Sequence, residues 1–304
     1  MTYIFFVLGL IALFAGGEFL VRGASAIARK LHLSPMVIGL TVVGFGTSAP
    51  ELLVSIQAAL AGQPGLAIGN VLGSNIANVL LIIGTAASIA ALVIRLRTVW
   101  RDLGFMLGAT AILWVMLQDG TISRGDGVIL IMGLCAFLAS AFWFGAAEVP
   151  PEDALQTPLL VAGGLTLAGL IGLVVGARLL VDSATDIART FGVSEAVIGL
   201  TVVAIGTSLP ELATSVIAAL RRQTDIAVGN VIGSNIFNIF SILGITALIS
   251  PIPADPRFAS VDMVWVAGTA LVLTALAIWL RGVPRWAGVA LLAIYAVYVG
   301  LTAI

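Results

Sequence analysis

The chain has 304 residues, 60% of them hydrophobic and 10% charged, with 14 Lys and Arg against 15 Asp and Glu for a net charge of −1. Soluble domains carry roughly 25% charged residues, so this composition, with a mean hydropathy of +1.17, excludes a soluble globular protein and points to a polytopic membrane protein. No basic cluster exceeds about three residues, which excludes a nucleic-acid partner.

A membrane helix takes about 20 residues. The opening MTYIFFVLGLIALFAGGEFL has no positive n-region and no small-residue cleavage site, so residues 2–21 read as a first membrane span rather than a signal peptide. Apolar runs bounded by charges or Pro and Gly then predict spans at 35–61, 66–93, 102–118 and 126–147. The acidic, proline-bearing stretch AAEVPPEDALQTP follows, and five more spans are predicted at 158–181, 195–219, 226–250, 261–280 and 285–303. These runs are continuous and lack two-residue alternation, so helices are expected and a β-barrel is not. Cys135, the only cysteine, reads as a buried packing thiol, and the single histidine, His32, ends a basic loop where no metal role is expected.

Residues 39–78 (GLTVVGFGTSAPELLVSIQAALAGQPGLAIGNVLGSNIAN) and 199–238 (GLTVVAIGTSLPELATSVIAALRRQTDIAVGNVIGSNIFN) lie 160 positions apart and share 25 of 40 residues without a gap. The chain is therefore a tandem duplication. Residues 1–147 form one five-helix repeat, 148–157 a cytoplasmic linker, and 158–304 the second repeat. Five spans is an odd number, so the second copy inserts upside down and the expected fold is all-α, ten helices in two inverted repeats. Charge gives the orientation. Loops after spans 1, 3, 7 and 9 carry Arg22, Arg29, Lys30, Arg95, Arg97, Arg101, Arg221, Arg222, Arg281 and Arg285, against Arg124, Arg178, Arg189 and Arg257 on the other side. The excess marks the cytoplasmic face and puts both termini outside.

Each copy also places one acid, Glu51 or Glu211, inside an apolar span. Such a group costs about 3 kcal/mol at the bilayer centre and is a functional hypothesis by default. Around it, Gly44, Gly46 and Pro50 disfavour a continuous helix, because proline has no N–H and its ring clashes with the carbonyl four residues back. An unwound stretch at Gly44–Ala49 is expected, with Pro50 opening a second half-helix, and Ala204, Gly206 and Pro210 repeat the arrangement. Backbone carbonyls freed at membrane depth must line protein or a hydrated cavity. Thr47, Ser48, Thr207 and Ser208 add hydroxyls. In GNVLGSNIAN, Asn70, Ser74 and Asn78 recur every fourth residue and share a helix face, as do Asn230, Ser234 and Asn238. The G-x-x-x-G pairs within them read as close helix packing. Carboxylates, hydroxyls, amides and carbonyls supply oxygen alone, which selects hard cations such as Ca²⁺, with Na⁺ competing for the same ligands.

The doubled GTS-x-PE-L…GN-x-x-GSN-I-x-N pattern resembles the alpha repeats of the calcium/cation antiporter superfamily and is most similar to prokaryotic sodium/calcium exchangers. The resemblance spans essentially the whole chain. It implies an ion site built from spans 2, 3, 7 and 8, with spans 1 and 6 moving against that core. Carried over by position, the ligands it implies are Glu51 and Glu211, the hydroxyls of Thr47, Ser48, Thr207, Ser208, Ser74 and Ser234, the carbonyls of Gly44 and Ala204, and Asn78 and Asn238. Many relatives have aspartate at one of the last two positions, whereas this chain has asparagine at both. The GSN-x-x-N pattern also weighs against the proton-coupled members.

The expected function is Na⁺/Ca²⁺ antiport across the cytoplasmic membrane, exporting Ca²⁺ by alternating access. The alternatives are a Ca²⁺/H⁺ antiporter and, in another class, a cation channel. No enzymatic activity, cofactor, nucleic acid or obligate protein partner is expected; the partners are Ca²⁺, Na⁺ and the lipid bilayer.

Overall fold

The computed structural model describes residues 2–144, 157–191 and 204–302. Helix dominates, as it must where the bilayer offers backbone groups no other partner. In chain order the helices are α1 (Thr2–Lys30), α2 (Pro35–Thr47), α3 (Ala49–Leu60), α4 (Pro64–Ile89), α5 (Leu96–Met116), α6 (Arg124–Phe144), α7 (Leu159–Thr190), α8 (Ala204–Thr207), α9 (Leu209–Leu220), α10 (Thr224–Ile249), α11 (Phe258–Trp279) and α12 (Arg285–Thr302). Among the described residues, eight helices are long and apolar enough to cross a membrane. The bent pair α2–α3 makes a ninth. The remaining expected span, 195–219, is represented by α8 and α9, and its residues 195–203 lie outside the described residues, as does the linker 148–156.

The first helix of each half is longer than composition alone predicts. α1 has 29 residues and α7 has 32, about 44 and 48 Å at 1.5 Å per residue, against a hydrocarbon core near 30 Å. Glu18 and Arg22 sit inside α1 rather than ending it, because long polar side chains reach the interface from within a helix. The two helices pack against one another along glycines: a Cβ at Gly16 would lie 2.7 Å from the Leu173 amide, and one at Gly176 would lie 2.7 Å from that of Leu13. Small residues give membrane helices this closeness, where no hydrophobic drive exists between them.

α4 and α10 are the most enclosed spans and form the centre. Each slips into π-helical geometry over six residues, Asn78–Ile83 and Asn238–Leu243, so both distortions begin on a polar side chain. Such turns commonly mark functional positions. Gly229 and Gly233 press onto Met36 and Leu40 of α2, so the G-x-x-x-G pair of the second copy is a packing surface, as expected.

Four two-residue strands close the ends. β1 (Leu92–Val93) pairs antiparallel with β4 (Gly282–Val283), and β2 (Thr121–Ile122) with β3 (Ile252–Pro253). Cys135 corrects its expectation: it is exposed on the outer surface of α6, a peripheral helix whose apolar residues run all round, so sequence periodicity gives no inward face.

Candidate functional site

The break in the α2–α3 span is tighter than the sequence predicts. Helix persists through Thr47, and the irregularity is confined to Ser48, at φ −84° and ψ 3°, where the axis bends 43°. The strain is taken up upstream instead, by a π-helical turn at Gly39–Val43 that shifts the hydrogen-bond register before Pro50 is reached. Ser208 has the same geometry, φ −88° and ψ 3°, at the α8–α9 junction. Pro50 and Pro210 each fall in the first turn after the break, where a missing N–H costs nothing. Glu51 and Glu211 follow directly and are 1% and 2% exposed.

The two junctions meet. The Ser48 hydroxyl donates to Glu211 Oε1 at 3.1 Å, and the Thr47 hydroxyl lies 3.3 Å from Asn230 Oδ1. Each acid is steadied from its own half. Asn70 Nδ2 donates to the Glu51 carbonyl at 3.1 Å and to Ser55 Oγ at 2.9 Å; Asn230 Nδ2 donates to the Glu211 carbonyl at 3.3 Å and to Ser215 Oγ at 2.9 Å. Ser74 and Ser234 are buried nearby in sequence, the latter 3.5 Å from the Gly44 carbonyl. That carbonyl also accepts from the Ser48 amide at 3.1 Å and lies 3.3 Å from the Thr47 hydroxyl, so in this conformation it is engaged by the protein. Ser208 is buried at its bend, while Thr207 borders a cavity of about 270 Å³. Ala204 opens α8, and its surroundings lie outside the described side chains.

Between α4 and α10, two residues outside the expected ligand set organise the site. Asn75 and Asn235 exchange contacts across the centre: Asn75 Nδ2 donates to the Asn235 carbonyl at 3.3 Å, and Asn235 Nδ2 lies 3.5 Å from the Asn75 carbonyl. A carbonyl only accepts, so each amide must present its nitrogen there and its Oδ1 on the other side. Those oxygens accept from Asn78 Nδ2 (to Asn235) and Asn238 Nδ2 (to Asn75), both at 2.9 Å. The side-chain nitrogens of Asn78 and Asn238 are thereby engaged, and their Oδ1 atoms are left over. The sequence held one signal for this, an asparagine at the same place in both GSN triplets.

The result is a specific pattern of unmet acceptors. Among the described residues, seven buried side-chain atoms have no hydrogen-bond partner, and all are oxygens. Four of them are Glu51 Oε2, Glu211 Oε2, Asn78 Oδ1 and Asn238 Oδ1, which are two duplicated pairs; the others belong to Asp102, Thr214 and Thr246. Buried polar atoms are normally satisfied, and an unmet one costs about 1–3 kcal/mol. Two carboxylate and two amide oxygens without donors fit a hard cation. No group of three or more His, Cys, Asp or Glu occurs among the described residues.

The sodium/calcium exchanger protein family matches residues 1–143 and 161–303. The chain belongs to the sodium/calcium exchanger family. It is 40% identical over 308 residues to the putative antiporter CaxA of Alkalimonas amylolytica, covering 97% of this chain and 96% of that protein. It is 32% identical to the sodium/calcium exchanger MaX1 of Methanosarcina acetivorans, covering 98% and 97%. The solved structure of the sodium-calcium exchanger NCX_Mj soaked with Na⁺ and Sr²⁺ superimposes with a TM-score of 0.88 at 36% identity, covering 98% of this chain and 97% of that one. As a family member the chain is an integral membrane transport protein.

Proposed function

We propose that this family member exchanges Na⁺ for Ca²⁺ at one central site, exporting Ca²⁺ across the cytoplasmic membrane by alternating access. The observation that carries the reading is the set of four duplicated oxygens without donors, two of them on acids buried at membrane depth. Two ionised glutamates balance one Ca²⁺, and Na⁺ ions can use the same oxygens, so the two cargoes exclude one another. Names of the relatives point the same way, since MaX1 is called a sodium/calcium exchanger and NCX_Mj has been soaked with Na⁺, Ca²⁺ and Sr²⁺. The ligands proposed are Glu51, Glu211, Asn78 and Asn238, with Thr47, Ser48, Thr207, Ser208, Ser74 and Ser234 around them. The carbonyls of Gly44 and Ala204 would join once the junctions shift.

We read the architecture as two inverted five-helix halves, 1–147 and 158–304, joined by the segment 148–157. Strand pairing supports the inversion. α5 begins beside the end of α4 and carries the chain to the far end, where β2 pairs with β3 at the end of α10. The duplicated helices α4 and α10 thus finish at opposite ends, as halves inverted about an axis in the membrane plane would. The arginine asymmetry supports a cytoplasmic linker and external termini.

The test is reconstitution in vesicles with Ca²⁺ uptake measured under imposed Na⁺, K⁺ or H⁺ gradients. Uptake driven against a Ca²⁺ gradient by Na⁺ is the expected result. Drive by H⁺ alone would replace the reading with Ca²⁺/H⁺ antiport, and downhill uptake needing no counter-ion would make the protein a channel.

A further inference from the structure

α5 buries Val99, Leu103, Met106, Ala109 and Leu113, spaced three or four apart, so one face of the helix meets the protein interior. Such positions need an apolar side chain of the right volume, and Leu and Met exchange there at little cost. Met106 does more than fill space. It is fully buried midway along α5, and its Sδ lies 3.8 Å from Asn235 Nδ2, the amide nitrogen that also faces the Asn75 carbonyl at 3.5 Å. An asparagine amide has two N–H donors, and a thioether is a weak acceptor. Among the described residues the carbonyl and the sulfur are the two partners of that nitrogen, one for each N–H. The Thr110 hydroxyl donates to the Met106 carbonyl at 2.9 Å, a local bond that sets the turn of α5 carrying the sulfur.

The other half has no such prop. The offset of 160 that relates the repeats carries Asp102 and Gly108 of α5 onto Asp262 and Gly268 of α11, and in that register Met106 and Thr110 become Val266 and Ala270. Valine offers no side-chain acceptor. Among the described residues, Asn75 Nδ2 accordingly has the Asn235 carbonyl alone, at 3.3 Å. Beyond that point the halves match: Asn235 Oδ1 accepts from Asn78 and Asn75 Oδ1 from Asn238, both at 2.9 Å, and each donor keeps an unmet Oδ1. The two amide arms therefore differ at their root, and the difference is one sulfur.

We propose that Met106 is a positioning residue for the ion site: its thioether holds Asn235, which in turn fixes Asn78 Oδ1 toward the cation, while the Asn238 arm is left looser. The proposal deepens the antiport reading and rests on its shared site. Without the sulfur, one N–H of the buried Asn235 is unmet and the amide is freer to turn its oxygen away from Asn78. A loosened arm holds an ion less well, because binding must then order it. Met106 itself need touch no ion.

The experiment measures Ca²⁺ binding to the purified full-length protein by titration calorimetry in Na⁺-free detergent solution, so no transport is required. Met106→Leu is expected to weaken binding about threefold, the size of a modest hydrogen bond, with Met106→Ile as a second variant should leucine pack poorly. The same substitution is then made in Asn78→Ala and Asn238→Ala backgrounds. Action through the Asn78 arm predicts no further loss in the first background and the full threefold in the second, whereas a general packing defect would weaken both alike. Unchanged affinity in both Met106 variants, or equal losses in the two backgrounds, overturns the proposal. Absence of Ca²⁺ binding by wild type would remove the shared site and the proposal with it. The expected binding pattern without Na⁺-driven flux in vesicles would uphold the positioning role while removing the antiport reading.

Discussion

At the residue scale the site depends on what asparagine can do that its neighbours cannot. Asn75 and Asn235 each give a nitrogen to a carbonyl and an oxygen to an amide, which turns Asn78 and Asn238 oxygen-inward. Asn235→Leu frees the Asn78 amide to rotate and removes its anchor, so apparent cation affinity should fall roughly tenfold, the equivalent of about 1.4 kcal/mol. Asn75→Leu should do the same through Asn238. The check is the concentration dependence of Na⁺-driven Ca²⁺ flux; unchanged half-saturation in both variants would show that the crossed amides do not orient ligands. Asn238→Asp keeps an oxygen but gives up the donor to Asn75 and adds a titratable group beside two acids. Exchange should survive, with a steeper pH profile and greater loss at the acidic end, because protons compete with cations for every carboxylate in the site. Flux measured between about pH 6 and pH 9 reads this out. Identical profiles for wild type, Asn238→Asp and Asn238→Leu would place the residue outside the ion path.

At the element scale, the helical breaks were legible at Gly44, Gly46 and Pro50, since proline chemistry is local. Their extent was not. The unwound stretch expected over Gly44–Ala49 contracts to Ser48 because a π-helical turn at Gly39–Val43 absorbs the register shift, and no residue type announces such a turn. Likewise the acids and the polar face of α4 were visible from spacing, but the crossing of Asn75 with Asn235 depends on how α4 and α10 meet, which is tertiary. The ends of α1 and α7 lie beyond the expected 21 and 181 because charges inside a long helix look like loop residues in a hydropathy reading. Restoring an N–H at the break tests the role of the bend itself. Pro50→Ala should yield folded protein with reduced exchange, as α2 and α3 gain a bond across Ser48 and straighten. Full exchange in that variant would show that the bend needs no proline.

At the scale of the whole molecule, two copies of one sequence supply two half-sites, and neither is complete alone: Ser48 of the first half binds Glu211 of the second, and each central asparagine pair crosses between halves. The inverted arrangement predicts sidedness. With Cys135→Ser as background, cysteines at Arg95 and Arg222 should label only from the cytoplasmic side, and cysteines at Gln63 and Arg257 only from outside. Labelling of Gln63 and Arg222 from one face would end the inverted reading, since Arg222 duplicates Gly62, the neighbour of Gln63. The central claim is that one acid from each half holds a shared cargo. It is tested most directly by Na⁺-driven Ca²⁺ flux in vesicles containing wild type, Glu51→Gln or Glu211→Gln, with folding checked by elution of each purified protein as a single species. Each substitution keeps the shape but removes a charge, and each alone should abolish Ca²⁺ exchange. Near-normal flux in either folded variant would contradict the shared site.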